Sequence, residues 1–545
     1  MRKHILIVGG GYVGMYTAMG LRKLVRSGEV TVTVVDPRGY MTYMPFLAEA
    51  VGGSIEPRHV AAPLGQVLKG MRVLTGRVTR VEHEARSAEF QPVQGPARTI
   101  EYDILVMAAG SITRGLPIPG LAEHAVGFKS IGEAVHLRNR VLAGLAAAAS
   151  TDDELIRRRA LTFVVVGGGF SGVEALAEMQ GLADEAVRYH EGIEAADLSW
   201  TLVEANDHIL PELHADLGRW TVDALRKRAV DVRLGTRLTS LAGGVTVLSD
   251  GTELDAGTVV WAAGGRPSPL AAASGLPVDR IGRLLATEYL TVAGVEDAFT
   301  AGDGAAVPDL TRPGEFTAPN AQHAVRQAKL LGRNLVAYVR GRRLKAYRHA
   351  YLGSVAGLGH HQGVAQVYRI KLTGVLGWLA HRAYHLGWVP TMRHKAAVLA
   401  DWLLAGLFRR ETVRLEAIEH ADEDFRQALT ADQSGPAVRP AAPRPPPTKL
   451  RPRLRPRSTK LRPPDRPSRP FRARRPFRVS RPSRVIRPFR VCRPASRPAR
   501  TSLGLRPRRS PARTSVRRPA RMPAGRPPRS PARMPVRRPP RERRA

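Results

Sequence analysis

Cysteine is almost absent from this chain of 545 residues, in which Cys492 is the single example. One cysteine cannot form a disulfide within the chain, and it cannot build a cysteine-rich metal site. The adjacent His360 and His361 point apart in either a helix or a strand and have no nearby acid or cysteine, so we predict no metal site. Chemistry that needs a pair of thiols is therefore excluded, and a reducing compartment is expected.

Long apolar runs are also missing. After Arg2 and Lys3 the apolar run Ile5–Val8 ends at a glycine, which is too short for the core of a signal peptide. No uninterrupted stretch approaches the roughly 20 apolar residues of a membrane-spanning helix. We therefore expect a cytoplasmic protein.

Acidic residues are scarce in the C-terminal part of the chain. Residues 434–545 contain 37 Lys and Arg against Asp465 and Glu542, so they carry +35 of the formal charge of +38 and leave residues 1–433 close to neutral. This Arg/Pro-rich tail has little capacity to bury a core and is predicted to be disordered. It suits non-specific binding of an anionic partner, either a lipid surface or nucleic acid. The alternative is an extension with no selected role.

What the sequence does contain is one short glycine pattern in two copies. Each copy reads GxGxxG directly after an apolar, strand-like run and before a helix-compatible segment, the context in which backbone amides bind a pyrophosphate. The glycines are Gly9, Gly11 and Gly14 in the first copy and Gly167, Gly169 and Gly172 in the second. Two copies predict two dinucleotides held together, and that points to redox chemistry.

An acidic residue follows each glycine motif at the end of the next predicted strand. The interval from Gly14 to Asp36 is close to the usual one, which suits the ribose hydroxyls of an adenine nucleotide. The interval from Gly172 to Glu204 is longer than usual. A carboxylate there would accept from a ribose 2′-hydroxyl and repel a 2′-phosphate, and no arginine follows within a few residues, which favours NADH over NADPH. A simple turn-initiating role is the alternative for Asp36.

Three further strand-like runs end in small residues. The first ends at Ala109 and Gly110, the second at Gly264, and the third at Gly302 and Asp303. Small residues suit a close approach to a cofactor but also suit ordinary turns. Asp303 could bond a polyol chain or cap a helix.

Residues 371–410 mix aromatic, cationic and apolar side chains, and they include the apolar stretch from Ala396 to Leu404. Helices with tryptophan and flanking arginine suit a membrane interface. A helical hairpin buried in the protein or in a dimer contact is the alternative.

Residues 1 to about 425 resemble the two-dinucleotide flavoprotein oxidoreductases, and in particular the type II NADH dehydrogenases. Beyond the paired glycine motifs, the resemblance rests on four segments. These are Tyr40–Leu47, Gly52–Arg58, Gly172-Val173-Glu174, and Ala321-Gln322-His323-Ala324. The C-terminal helices stand where that family has its membrane anchor. Disulfide reductases and sulfide:quinone oxidoreductases are set aside, because residues 1–433 lack the cysteines that they need.

The resemblance implies an FAD-dependent enzyme that takes hydride from NADH onto the flavin and passes two electrons to a membrane quinone without pumping protons. It implies that Gln322 bonds the quinone head, with a helix glutamine satisfied by backbone as the alternative. It further implies that Glu174 serves the nicotinamide side or a proton path, unless it is merely an acid in the first turn of a helix. The enzyme would lie peripherally on the inner face of the cell membrane, and a homodimer is one assembly open to it.

The fold implied is α/β, with two Rossmann-like dinucleotide-binding domains, a small C-terminal membrane-interface region and the disordered tail. The FAD domain is discontinuous, over 1–118 and 285–345, and the NADH domain, 119–284, is inserted in it. The interface region covers 346–425 and the tail 434–545.

The chain departs from the family in two places. Arg326 stands where the family often has a second glutamine, which puts the quinone contacts and the acceptor in question, and the tail has no counterpart. Two other functions stay open. One is a soluble ferredoxin-type reductase or diaphorase, and the other is a nucleic-acid or anionic-surface binding protein that acts through its tail.

Overall fold

The computed structural model describes residues 2–349, 353–359 and 361–414. The predicted disordered tail and the last residues of the predicted interface region lie outside the described residues. The α-helices that it contains are, in chain order, α1 (Tyr12–Arg26), α2 (Leu47–Val51), α3 (Leu64–Val67), α4 (Leu121–His124), α5 (Ile131–Ala149), α6 (Glu154–Ala160), α7 (Phe170–Ala186), α8 (Ala215–Arg226), α9 (Pro269–Ala273), α10 (Ala321–Val339), α11 (Gly374–Trp388) and α12 (Met392–Phe408).

Strands alternate with helices around the two glycine turns, as apolar runs joined by glycine turns predict. They are β1 (Lys3–Val8), β2 (Val30–Asp36), β3 (Tyr40–Thr42), β4 (Ala61–Pro63), β5 (Arg72–Glu82), β6 (Ser87–Pro92), β7 (Arg98–Glu101), β8 (Ile104–Met107), β9 (Ser111–Thr113), β10 (Ala125–Gly127), β11 (Thr162–Val166), β12 (Ser199–Val203), β13 (Val230–Arg233), β14 (Leu238–Ser240), β15 (Val245–Leu248), β16 (Glu253–Asp255), β17 (Thr258–Trp261), β18 (Gly265–Pro267), β19 (Leu284–Leu285), β20 (Ala298–Thr300), β21 (Ala305–Ala306), β22 (Gly353–Gly357), β23 (Gly363–Val367) and β24 (Ile370–Thr373).

The first large sheet has the strand order β20-β8-β1-β2-β5-β6-β7. Its first five strands are parallel, whereas β6 and β7 are antiparallel additions at one edge. The central strand β1 is buried on both faces, with Ile5, Leu6 and Ile7 fully inaccessible, as an interior parallel strand requires. Because β20 comes from residues 298–300, this sheet is discontinuous in the sequence.

The second large sheet has the order β10-β17-β11-β12-β13, and its strands are all parallel. It forms from residues between 125 and 233 together with β17, and so it is inserted between the two parts of the first sheet. The glycine turns follow β1 and β11. In each sheet this is the strand at which the order of successive strands reverses, and ligands usually bind at this position. The predicted α/β class with two Rossmann-like units, one discontinuous and one inserted, is confirmed.

A two-stranded ribbon joins the two sheets. The chain leaves the first sheet through β9 and returns through β18, and these strands pair antiparallel, with Ser111 opposite Pro267 and Thr113 opposite Gly265. Both passages between the sheets therefore run side by side.

The described C-terminal part consists of the small antiparallel sheet β22-β23-β24 and of α11 and α12, which we call the C-terminal hairpin. Helix α11 lies directly on β23, since a Cβ atom at Gly377 would overlap the carbonyl of Gly363. The hairpin also contacts both dinucleotide units, since the Tyr16 hydroxyl donates to the carbonyl of Trp388 and Arg410, just after α12, pairs with Glu178. No helix in the described part of the chain is long and apolar enough to cross a membrane.

Candidate active site

The first glycine turn connects β1 to α1 and is closed by backbone contacts. Gly9 has φ +103°, and a Cβ atom there would overlap the carbonyl oxygen of Ala108. A Cβ atom at Gly14 would overlap the carbonyl oxygen of Gly9, so α1 packs directly on the turn. At Gly11, by contrast, no atom lies within 4 Å of an added Cβ. The turn thus has two glycines that the fold requires and one that leaves open space in front of a helix N-terminus.

Asp36 supports this turn from the end of β2. Its Oδ2 atom accepts from the amide of Gly10 at 2.9 Å, and its Oδ1 atom accepts from the amide of Arg38 at 2.9 Å. The side chain is 5% exposed. Asp36 therefore lies where the motif predicts it, and it also orients the backbone of the turn.

The second glycine turn, between β11 and α7, repeats this geometry. Gly167 has φ +120° and lies against the backbone of Ala262, while a Cβ atom at Gly172 would overlap the carbonyl oxygen of Gly167. Gly169 again has no atom within 4 Å of an added Cβ.

Glu204 is the counterpart of Asp36, despite its longer spacing. Its Oε2 atom accepts from the amide of Gly168 at 2.6 Å, and its Oε1 atom accepts from the amide of Asn206 at 2.8 Å and from that residue's side chain. The extra residues lie between the end of α7 at Ala186 and the start of β12 at Ser199. The insertion therefore leaves the end of β12 beside the turn.

Asp303 lies in a short 3-10 turn, Gly302–Gly304, directly after β20. It caps no helix, since the N-cap of α10 is Asn320. The Ser111 hydroxyl donates to Asp303 Oδ2 at 3.1 Å, and Lys129 Nζ donates to Ser111 Oγ at 3.0 Å. Burial raises the pKa of Asp303 and lowers that of Lys129. A serine, an acid and a lysine thus converge on the space beside Gly302.

Gln327 holds Gly302 in place. Its side-chain oxygen accepts from the amide of Gly302 at 2.7 Å, and its amide group donates to Thr317 Oγ1 at 3.0 Å. Sequence reasoning did not select Gln327, Ser111 or Lys129. Their only sequence signal is a polar residue inside an otherwise apolar context, which does not reveal the partner.

The remaining predicted small-residue positions lie at the two ends of the ribbon. Ala109 and Gly110 precede β9, and Gly264 precedes β18; Gly110 and Gly264 have φ values of +63° and +86°. The Gly110 carbonyl oxygen accepts from the amide of Ser268 at 3.0 Å. Ala109, Gly110 and Gly264 therefore belong to the turns that lead from each sheet into the ribbon.

Gln322 occupies the first turn of α10, where its amide is engaged by neighbouring protein groups. Its oxygen lies 3.2 Å from His349 Nε2, and its nitrogen donates to the carbonyl of Gly353 at 3.0 Å. Arg326, one turn later, donates to the carbonyl oxygen of Gln322 at 2.9 Å and lies 5.2 Å from the ring centre of Trp388. Burial, followed by the charge on nearby His349, lowers the pKa of His323 to about 4. The Ala-Gln segment thus meets the C-terminal hairpin.

Glu174 is not an acid of the first turn of a helix, so that alternative is wrong. Helix α7 begins at Phe170, its first turn contains no acidic residue, and Glu174 follows in the second turn. Its Oε1 atom accepts from the amide of Gly357 at 2.9 Å and lies 3.2 Å from His381 Nε2. Glu174 therefore links the second dinucleotide unit to the hairpin.

The C-terminal hairpin has one face on the protein and one free apolar face. His381 and Val398 are buried against the body, so the hairpin is not a detached element. Its other side carries large apolar side chains that are at least 47% exposed: Val375, Leu376, Leu379, Met392, Leu399, Leu403, Leu404, Leu407 and Phe408. The alternative of a hairpin buried in its own chain does not fit this exposure.

The chain is similar in sequence and in fold to several known proteins. The type II NADH:quinone oxidoreductase Ndh of Mycobacterium tuberculosis is 29% identical over 424 residues, which cover 75% of this chain and 89% of that relative. The type II NADH:quinone oxidoreductase of Staphylococcus aureus is 30% identical over 380 residues, with coverages of 68% and 92%. The structure of NDH2 from Plasmodium falciparum in complex with NADH superposes with a TM-score of 0.71 at 18% identity and covers 76% of this chain and 100% of that one, which shows the shared fold.

Residues 3–328, which contain both glycine turns, match the pyridine nucleotide-disulphide oxidoreductase family, and the chain belongs to it. The Staphylococcus aureus relative is matched over nearly its whole length, so within this family the chain belongs to the type II NADH:quinone oxidoreductases. Residues 1–433 contain no cysteine, so the disulphide chemistry in the wider family's name does not apply here.

Proposed function

We propose that this protein oxidises NADH and reduces a quinone at a membrane surface, with FAD as its cofactor. The observation that carries the proposal is the pair of matching glycine turns, each with an open middle glycine and an acid that holds the turn. The chemistry that FAD supplies when bound is acceptance of hydride at N5 and transfer of two electrons to the quinone. The protein's own contribution is orientation, because hydride transfer depends on close stacking of the two rings.

The residues of the first unit fit FAD. Gly9 and Gly14 close the turn, and the space at Gly11 leaves room for a pyrophosphate at the N-terminus of α1. Asp36 would accept from the adenosine ribose. Gly302 and Asp303 would lie against the ribityl side, where Ser111 and Lys129 supply further polar contacts. Because Ala109 and Gly110 carry little or no side chain, the chain takes up little space at the end of the adjoining strand β8.

The residues of the second unit fit NADH. The space at Gly169 lies between the closing glycines Gly167 and Gly172, and Gly264 ends the neighbouring strand. Glu204 stands at the position that distinguishes the two nicotinamide nucleotides. Its carboxylate would accept from the 2′-hydroxyl and repel a 2′-phosphate, and so NADH is the expected substrate.

We assign the quinone to the region between the start of α10 and the C-terminal hairpin. Gln322 is the proposed contact for the quinone head, which it would bind by exchanging its bond to His349 or Gly353. Arg326 replaces a neutral family side chain and brings a positive charge to this region. Glu174 is proposed to serve the nicotinamide side or a proton path.

The exposed apolar face of the hairpin supports peripheral membrane binding through residues 371–410, on the cytoplasmic side. Leu403→Glu with Leu407→Glu should abolish flotation with liposomes while the exposed Leu155→Glu should not, because only the former two lie in the hairpin. A homodimer and an anionic partner for the tail are both compatible with this membrane binding.

We propose that the FAD domain covers residues 1–118 and 285–345, the NADH domain 119–284 and the interface region 346–425.

The decisive experiment is anaerobic. The purified yellow protein is mixed with NADH or NADPH while the flavin absorbance is followed, and a soluble quinone is then added. Bleaching by NADH and recovery with quinone are expected. A protein without bound flavin, or one that reduces ferredoxin and no quinone, would overturn the proposal.

A further inference from the structure

Strands β23 and β24 of the small C-terminal sheet are joined by a two-residue turn. Val367, the last residue of β23, pairs with Ile370, the first residue of β24, so only Tyr368 and Arg369 lie between them. We call Val367–Ile370 the sheet tip. It lies outside residues 371–410, to which the membrane contact was assigned above, and shortly before the start of α11.

The sheet tip exposes large side chains that a turn in water does not need. Tyr368 is 67% exposed, Ile370 63% and Val367 41%. Short hairpin turns favour glycine and small polar residues, because their side chains face the solvent. A contiguous group of exposed apolar and aromatic side chains usually marks a binding surface. The composition of the sheet tip therefore indicates a partner that is itself apolar.

Tyr368 also adopts an unfavourable backbone conformation. Its φ is +54°, in the left-handed region. Glycine is the usual residue with positive φ at the first central position of a two-residue hairpin turn, because it has no Cβ atom to clash with the backbone. Tyrosine at this position costs stability, and its exposed ring gains little packing within the chain in return. Strain of this kind is typical of functional positions.

The sheet tip is held to the body of the protein from one side only. The side-chain oxygen of Gln366 accepts from the amide of His214 at 2.9 Å, and Lys371 Nζ donates to Asp216 Oδ2 at 2.8 Å, so both residues contact the start of α8. Gln366 and Lys371 are partners across the ladder and share one face of the sheet. The next pair along the ladder is that of the sheet tip, and it lies on the opposite face, because side chains alternate along a strand.

The exposed side chains of the sheet tip lead into the free apolar face of the C-terminal hairpin. Strand β24 ends at Thr373 and α11 begins at Gly374, and the first turn of α11 carries Val375 and Leu376, which are exposed members of that face. Tyrosine and arginine beside apolar residues are typical of the boundary between lipid and water. The neighbourhood and the residue types thus favour lipid as the partner of the sheet tip.

We propose that the sheet tip inserts into the same lipid surface as the C-terminal hairpin and forms a second point of contact. This inference rests on the proposed membrane binding. Val367 and Ile370 enter the boundary of the acyl chains, the Tyr368 hydroxyl stays at the level of the headgroups, and the Arg369 side chain extends to their phosphates. Because Lys371 ties the neighbouring residues to α8, this second contact also fixes the tilt of the NADH unit over the membrane.

The test measures binding of the full-length, FAD-loaded protein to phosphatidylcholine vesicles in about 0.5 M salt, since a neutral lipid and high salt suppress binding through the basic tail. Tyr368→Gly should lower the vesicle partition coefficient about 3- to 10-fold, and Ile370→Ser about tenfold, because less apolar area enters the lipid. Ile281→Ser is the matched control, since Ile281 is 57% exposed but lies far from the C-terminal region in the sequence. This control should bind like the wild type.

The Tm of Tyr368→Gly in the absence of lipid separates a membrane role from a structural one. Glycine relieves the left-handed strain, so the Tm should equal or exceed that of the wild type although vesicle binding falls. A lower Tm together with weaker binding would show that the tyrosine maintains the fold, and that result would overturn its proposed role.

Two further outcomes contradict the inference. Unchanged vesicle binding in both Tyr368→Gly and Ile370→Ser, with a wild type that binds, would overturn it and leave the proposed function intact. A lower oligomeric state of Ile370→Ser in sedimentation without lipid would assign the sheet tip to a second copy of this chain. A wild-type protein that does not bind the vesicles at all would instead refute the proposed membrane binding.

Discussion

The two glycine turns are built alike, although the chain reaches them differently. In the first, an aspartate at the usual spacing from the last glycine accepts from the amide of Gly10, and in the second a glutamate at a longer spacing accepts from the amide of Gly168. The insertion before β12 adds chain but does not move the end of the strand. The feature that the two halves share is thus the contact of a carboxylate with the second glycine amide, and the spacing along the chain is secondary.

The largest expected effect is a loss of nucleotide binding that differs between the two turns, with FAD affected at the first turn and NADH at the second. Gly14→Ala and Gly172→Ala each force a methyl group onto a carbonyl oxygen, at a cost of about 1–3 kcal/mol in packing. Gly14→Ala should yield a colourless protein without FAD. Gly172→Ala should keep its FAD and show a KM for NADH raised more than about tenfold. Flavin absorbance after purification and steady-state kinetics measure both.

Gly65→Ala is the control, since no atom lies within 4 Å of an added Cβ there. If Gly172→Ala lost FAD while Gly14→Ala kept it, the assignment of the two nucleotides would be reversed.

A smaller effect is expected when the charges of the two acids are removed. Glu204→Gln keeps an acceptor for the turn but no longer repels a 2′-phosphate, so the preference for NADH over NADPH in kcat/KM should fall about tenfold, or about 1.4 kcal/mol. Asp36→Asn should leave this preference unchanged and weaken FAD retention. Equal selectivity in wild type and Glu204→Gln would show that another residue discriminates between the nucleotides.

The smallest effect concerns Asp303, where the two units differ. The strand next to β8 is β20, which leads to Asp303, whereas its topological equivalent β10 leads to Lys129. Burial raises the pKa of Asp303, so the folded state binds its proton more tightly than the unfolded state does. The stability linked to this proton is full below the unfolded pKa and is lost as the pH rises through the folded one.

Asp303→Asn should therefore raise the Tm of the FAD-free protein at neutral pH by roughly 1–2 °C and leave it unchanged near pH 4. Differential scanning calorimetry at both pH values checks this. A variant that is less stable than the wild type at neutral pH would mean that the attraction of the nearby Lys129 charge outweighs the cost of burying the carboxylate.

Much of the dinucleotide machinery could be predicted from the sequence, because its signals are local. A GxGxxG pattern after an apolar strand specifies the turn, and an acid at the next strand end follows from the βαβ unit. Glu204 lies at the end of β12 beside the second glycine turn in spite of its unusual spacing, and its role towards NADH stays a prediction. The class of fold followed from two such units in one chain.

The contacts that could not be predicted are those that join distant parts of the chain. Ser111 meets Asp303 across 192 residues, and Trp402 donates to Glu49 across 353. Nothing near Glu49 or His381 in the sequence indicates a buried ion pair, since each looks like an ordinary polar residue of a helix. Such contacts depend on how the hairpin packs on the two units, which no local pattern encodes.

The ribbon of β9 and β18 has a mechanical consequence. A single linker between two nucleotide-binding units would let them swing about one flexible point, but here the outgoing and the returning chain are zipped together by backbone hydrogen bonds. A rotation of one unit against the other must then distort the hydrogen bonds between β9 and β18 as well as the connecting loops. The ribbon thus adds backbone hydrogen bonds that oppose a rotation of one nucleotide-binding unit against the other.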